Sequence, residues 1–321
     1  MSRRQPRAGP LLLCLAAASL MGCPPPAPKS LLPLEALVGG YNANAAAVPQ
    51  LWARAKLVVT FADEKGRTVT WGSTLLAPNA TLVMAKGHDK LGPHYFVLVG
   101  TESGHPVFRL GSSPDEPGGP VYYFWAHMGD SGIARFGRQE FAGAPGIDEM
   151  PIDPNGLLSV LGVFELPDDF TRLPTVALTM SESPYAYVLR CVDVQPVSGR
   201  ILFRREVYFN WSDKAPPRAY KVNLLAADGR RMMTATLSDY KPVETGQDGG
   251  PRPVMPTDIR VQWASWPDRP AGVRNIHLVL SGMTATGRGN PRDACLFRGN
   301  LPAGLAPVQV DRHLEPKGGR S

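Results

Sequence analysis

The residues whose types could carry catalysis or hold a metal are few: His88, His94, His105, His127, His277, His313 and a serine set between glycines in Gly129-Asp130-Ser131-Gly132. A serine nucleophile works when a histidine, itself held by a carboxylate, takes its proton and backbone N–H groups receive the oxyanion. Ile133-Ala134 follow Ser131, and no segment supplies a marked histidine partner. The four letters therefore read as a polar turn between two strands, and hydrolysis through Ser131 ranks third among the functions weighed. His88-Asp89, His94 and His105 fit no zinc spacing. Glycine-rich phosphate loops are missing from the sequence as well. The expectation is a chain with no catalytic residues, no metal and no cofactor.

The thiols carry a sharper signal. The cysteines are Cys14, Cys23, Cys191 and Cys295. Arg3, Arg4 and Arg7 precede an apolar run from Leu11 to Met21, about half of the ~20 apolar residues that a membrane-spanning helix needs. Such a run reads as an export signal that is cut away. The cut falls at Leu20-Met21-Gly22-Cys23, which resembles the bacterial lipobox at all four places. That resemblance implies acylation of the Cys23 thiol and of the new N-terminus, with palmitate-type chains as the membrane anchor. Each buried CH₂ contributes about 0.8 kcal/mol, and two or three chains together hold stably where one does not. Pro24-Pro25-Pro26-Ala27-Pro28 then reads as a semi-extended tether. Residue 24 is Pro and not Asp, which by the same resemblance implies the outer membrane, facing the periplasm.

Loss of residues 1–22 removes three arginines and no acid, so the formal charge falls from +6 to +3. A charge of that size spread along the chain excludes nucleic acid as a partner class, since phosphate binding needs Lys and Arg gathered on one face. Cys191 and Cys295 remain. They could form a disulfide closing a loop of about 100 residues, contributing up to roughly 4–5 kcal/mol, or stay as two buried thiols.

The rest of the sequence must position whatever these groups do. Leu34, Leu37, Val38, Tyr41 and Ala45 fall on one helical stripe, weakened by Gly39-Gly40. From there the pattern has period two. Leu57–Phe61 and Thr68–Leu76 flank a turn at Asp63-Glu64-Lys65-Gly66 and predict a hairpin. Further strands are predicted at 81–85, 95–100, 107–110, 121–127, 175–180, 186–194, 201–210, 219–226, 231–240, 258–264 and 276–282. Asp153-Pro154 starts, and Gly162 stops, a short helix whose Leu157, Leu158, Val160 and Leu161 leave little polar circumference, so it is expected to wedge against the sheet. Val121-Tyr122-Tyr123-Phe124-Trp125 sends aromatics to both faces of one strand, so both faces require cover. Residues 301–321 read as a flexible tail.

A leading helix, a long antiparallel sheet, a mid-chain apolar helix and a lipobox resemble the LolA/LolB-like lipoprotein carriers, with the LppX-type envelope lipoproteins among them. Echoes include Tyr41-Asn42-Ala43-Asn44, Leu51-Trp52-Ala53-Arg54-Ala55, Phe96-Val97-Leu98-Val99-Gly100, Phe108-Arg109-Leu110-Gly111 and Tyr122-Tyr123-Phe124-Trp125. The resemblance implies a mainly β, α+β fold: an unclosed half-barrel of about eleven strands over residues 34–300, with helices on its concave side. It also implies a hydrophobic cavity for a lipid, an acyl chain or a lipidated partner protein. Trp71, Phe96, Phe108, Tyr123, Trp125, Leu157 and Leu161 are the candidates to line it. The alternative is a non-catalytic envelope scaffold that binds proteins and has no cavity. Replacing Cys23 with Ser, or treating cells with globomycin, is expected to change processing and membrane partitioning; unchanged processing and partitioning would remove the anchor.

Overall fold

The computed structural model describes residues 30–62, 67–72, 79–85, 95–114, 120–128, 131–141, 154–182, 184–194, 201–211, 216–226, 228–246, 252–264, 272–286 and 297–314. Its centre is β1 (Gln50–Ala62), in which Leu51, Ala53, Ala55, Leu57 and Val59 are fully buried while the intervening residues face the other way. Along one edge β1 pairs antiparallel with β14 (Gly272–Thr284), from Trp52↔Thr284 to Ala62↔Gly272. Its other edge is shared: β2 (Thr68–Gly72) pairs with Val58 to Ala62, as the predicted hairpin requires, and β3 (Ala80–Ala85) pairs with Gln50 to Ala55. At the joint the Asn79 side chain takes the place of a strand. Its Oδ1 accepts from the Leu57 N–H at 2.7 Å and its Nδ2 donates to the Leu57 carbonyl at 3.0 Å, so neither backbone group is orphaned.

From β3 the chain meanders outward through β4 (Tyr95–Glu102), β5 (His105–Ser113), β6 (Val121–Met128) and β7 (Ser131–Arg138). It then crosses to the opposite edge and returns through β8 (Thr175–Glu182), β9 (Tyr185–Val194), β10 (Ile201–Asn210), β11 (Ala219–Leu225), β12 (Arg231–Pro242) and β13 (Val254–Trp263) to β14. Among the described residues the result is one curved, unclosed antiparallel sheet of fifteen strands, more than the eleven or so expected. The extra elements include β7, which the sequence pattern missed, and a two-residue strand near the C-terminus.

Two helices cover one face, called the inner face below. Helix α1 (Leu34–Ala46) buries Leu37, Val38 and Ala45 and half-buries Leu34 and Tyr41, the stripe that the spacing predicted. Gly39 and Gly40 point to solvent, where an added Cβ would meet nothing within 4 Å. They weaken the helix by about 1 kcal/mol each relative to Ala without any steric need for them. Helix α2 (Pro154–Ser159) starts at its proline, and the chain reaches Gly162 in the left-handed region, φ 73°, where glycine is favoured. The expected cap, Asp153, lies outside the described residues. Leu157, Leu158, Val160, Leu161, Val163 and Leu166 join the same core as the strands. The topology explains why: β7 and β8 lie at opposite edges, so the segment joining them has to cross, and it crosses over the apolar face.

The outer face has cover of its own. Phe297 is 2% exposed and packs with Val83, Val97, Trp52, Tyr95 and Val99 as a second small core. β15 (Val308–Gln309) adds to β7 in parallel, and Val310 and Asp311 are buried. Gln309 Nε2 donates to Asp311 Oδ1 at 3.0 Å, and the Arg138 N–H donates to Oδ2. Residues 301–314 are thus docked on the sheet and not loose; the expected flexible tail is limited at most to the residues after Leu314, which fall outside the described chain. Truncating a buried Phe costs about 3–5 kcal/mol. Phe297→Ala is expected to lower unfolding stability by that order and to speed proteolysis C-terminal to it; a loss under about 1 kcal/mol in urea denaturation would show that this outer layer is incidental.

Candidate functional site

The strand alternation places the aromatic candidates on two sides. Phe96, Phe108 and Phe124 point inward with Leu98, Leu110 and Ala126 and belong to the large core. Trp71 reaches them from β2. Its indole lies over Gly100, where an added Cβ would come within 2.4 Å of the ring, and stacks on Phe108 at 5.7 Å with an interplanar angle of 11°. Phe108 in turn meets Phe124 edge-on at 5.5 Å. Leu157 and Leu161 close this cluster from the crossing segment. Phe96, Phe108, Leu157 and Leu161 are at most 2% exposed, so they fill the interior as packing and line no open hollow in this conformation.

Tyr123 and Trp125 are on the other side. The Tyr123 hydroxyl donates to the Phe297 carbonyl at 2.6 Å, and Trp125 Nε1 donates to the Gly299 carbonyl at 2.6 Å. They anchor the C-terminal segment to the outer face and do not line an inner cavity. The expectation that both faces of β6 need cover holds; the expectation of which residues face inward is corrected. On β7 an added Cβ would lie 2.3 Å from Leu305 Cδ2 at Gly132 and 2.3 Å from the Tyr122 hydroxyl at Gly137.

Ser131 opens β7 in register with Met128, and residues 129–130 between them lie outside the described residues. His88, Asp89, His94, Cys23 and Cys295 also lie outside them, so the metal, lipidation and disulfide expectations stand where they were. Among the described residues no group of three or more His, Cys, Asp and Glu is placed to hold a metal.

No protein-family model matches the sequence, and a search of curated proteins returns no match. Solved structures do match. A domain from Vibrio parahaemolyticus described as outer membrane lipoprotein-sorting is 10% identical, with a TM-score of 0.46, covering 82% of this chain and 98% of its own. A DUF1329 family protein from Desulfovibrio piger is 8% identical, with a TM-score of 0.44 and coverages of 78% and 90%. A LolA superfamily protein from Nitrosomonas europaea is 13% identical, with a TM-score of 0.40 and coverages of 81% and 97%. The likeness is one of fold.

The inner face is largely apolar, and its covers are held by polar latches. Asn42 of α1 donates from Nδ2 to the Leu166 carbonyl at 2.8 Å and accepts the Leu166 N–H on Oδ1 at 2.7 Å. Two residues on, Asn44 makes the same pair of bonds with Val254 of β13, at 2.9 and 2.8 Å. One helix is thereby tied to the crossing segment on one side and to the sheet on the other. The Leu32 N–H donates to the Tyr187 hydroxyl at 3.0 Å and fixes the chain just ahead of α1.

One inner-face group left no mark in the residue pattern. Arg205 sits directly across from Cys191 on the core side of β10 and is only half-buried. Its guanidinium lies near the Cys191 sulfur, with Tyr41 of α1 and Asp193 also close by. The Tyr41 ring meets Phe209 edge-on at 5.6 Å. Burial pushes the Tyr41 hydroxyl up to about 12 against the opposing pull of Arg205, so it is a protonated donor at neutral pH. Next along, the Tyr240 hydroxyl donates to the Ala219 carbonyl, and Arg218 lies over the Tyr240 ring at 5.3 Å.

The outer face of β12 to β14 presents a hollow of about 440 Å³ edged by Thr234, Thr236, Arg260, Gln262, Asn275 and His277. Val261 and Ile276 complete the lining, so polar side chains rim the hollow without making it wholly polar. Arg260 and His277 both hold the Asp258 carboxylate there, each at 3.1 Å. Removing either latch strips two hydrogen bonds and leaves buried backbone groups short of partners, at about 1–3 kcal/mol each. Asn42→Ala and Asn44→Ala are each expected to raise amide exchange across residues 34–46 well above that of β1 and β14; a uniform rise would show that the latches hold the whole fold and not the helix.

Proposed function

We propose that the chain is a lipid-anchored protein of the bacterial envelope that takes a lipid, or the lipidated end of another protein, onto the inner face of its open sheet. The observation that carries this is the single apolar face to which all strands from β1 to β14 contribute, with, among the described residues, α1 and the crossing segment that holds α2 laid over it. A face of that extent has to be covered, and here the covers are thin and latched at polar points. Acyl chains meet its chemistry, since burial of CH₂ groups is what it rewards. In the conformation described the covers fill the face, so uptake requires α1 or the crossing segment to swing aside. The lipobox at Leu20 to Cys23 supports the anchor, Pro24 supports the outer membrane, and sorting or transport of lipid follows as the role. The role proposed is non-catalytic.

A second reading has an observation of its own. Leu51, Leu57, Met84, Phe96 and Leu98 are fully buried, which suits a solid scaffold whose partners are proteins. One experiment separates the two. The full chain carrying Cys23→Ser, so that no anchor competes, is mixed with a fluorescent fatty acid and, separately, with a phospholipid before native mass spectrometry. The carrier reading expects saturable fluorescence and a lipid adduct. Absence of bound lipid in both assays leaves the scaffold.

A further inference from the structure

We infer that Arg205 is the headgroup anchor of the inner face, and that the ligand is an anionic amphiphile whose carboxylate or phosphate pairs with this guanidinium while its chain lies along the apolar strands. The inference rests on the carrier reading above and specifies its ligand. A guanidinium carries five N–H donors and is not deprotonated in proteins. Taking such a group out of water costs several kcal/mol unless charge or hydrogen bonds compensate. Around Arg205 the compensation is thin: a cysteine sulfur is a weak acceptor, the Tyr41 hydroxyl belongs to a phenol, and Asp193 makes no ion pair with it among the described residues. The Asp193 Oδ1 accepts its own neighbour's N–H, from Val194 at 2.9 Å. Most of the fork is left for a partner that the described residues do not supply.

Its placement fits a headgroup. Its inner-face neighbours Leu189, Val207 and Phe209 are 0%, 2% and 1% exposed, whereas Arg205 and Tyr41 keep partial exposure. The cation therefore stands where the apolar face meets solvent, the arrangement that an amphiphile needs, with its polar end wet and its chain dry. Tyr41 adds an O–H donor from α1, so a bound acid would bridge the sheet and its cover. Fork geometry suits a bidentate carboxylate or phosphate better than a neutral ester.

The test uses the full chain with Cys23→Ser and compares a fluorescent fatty acid with its methyl ester. The acid is expected to bind at least tenfold more tightly, the preference to collapse in Arg205→Met, and Arg205→Lys to restore part of it. Inorganic phosphate at millimolar concentration is expected to leave the bound acid in place, because it has no chain; displacement at equal molarity would make this a free-anion site and overturn the inference. Acid and ester binding equally well to the unaltered protein would also overturn it while leaving the carrier reading intact, and that comparison needs no variant to fold. An unchanged preference in Arg205→Met would assign the selectivity to another group. Binding of neither probe would remove the carrier reading itself.

Discussion

The pairing of β1 with β14 is the interaction on which the remaining structure hangs. It joins residues more than two hundred positions apart and welds two meanders, one running out from β1 and one running back to it, into a single sheet. Without it each meander would carry an apolar face too wide for one short helix to cover. With it, one face serves both halves, and α1 and the crossing segment shield them together. The long sequence separation means that this contact has to be closed against a large loop entropy. The thirteen residues of β1 answer that cost with unbroken alternation, every inward residue from Leu51 to Val59 fully buried.

Much of this was legible beforehand. Period-two alternation located thirteen of the fifteen strands, the stripe on α1 was read residue for residue, and the proline and glycine bounding α2 behaved as helix punctuation. β7 escaped because Gly132 and Gly137 look like turn residues. They are glycines for another reason, since Leu305 and the Tyr122 hydroxyl occupy the space that their Cβ atoms would need. That cause lies in the tertiary structure and leaves no mark on the local pattern. The docked C-terminal segment was hidden in the same way, since Phe297, Leu301, Leu305 and Val310 stand among Gly, Pro and Arg with no regular period to mark them.

The candidate site was legible in outline only. Alternation says that Tyr123 and Phe124 face opposite sides; it cannot say which side has the helices. Half of the aromatic candidates' placement was therefore decided by a fact external to the strand. Arg205 was hidden by its setting in Phe203-Arg204-Arg205-Glu206, three charged residues in a row that read as a solvated stretch. A register irregularity between Phe203 and Arg205 breaks the count at that point, so parity carried from Ile201 fails to tell which charge turns inward.

The crossing segment has a mechanical consequence. It is covalently continuous with β7 at one rim of the sheet and with β8 at the other, and its middle is pinned to α1 through Asn42. Any parting of the two rims pulls on the same stretch of chain that plugs the gap between them. Widening the mouth and lifting the plug are thus one displacement, and the length of chain joining the two rims limits how bulky a guest the sheet can admit.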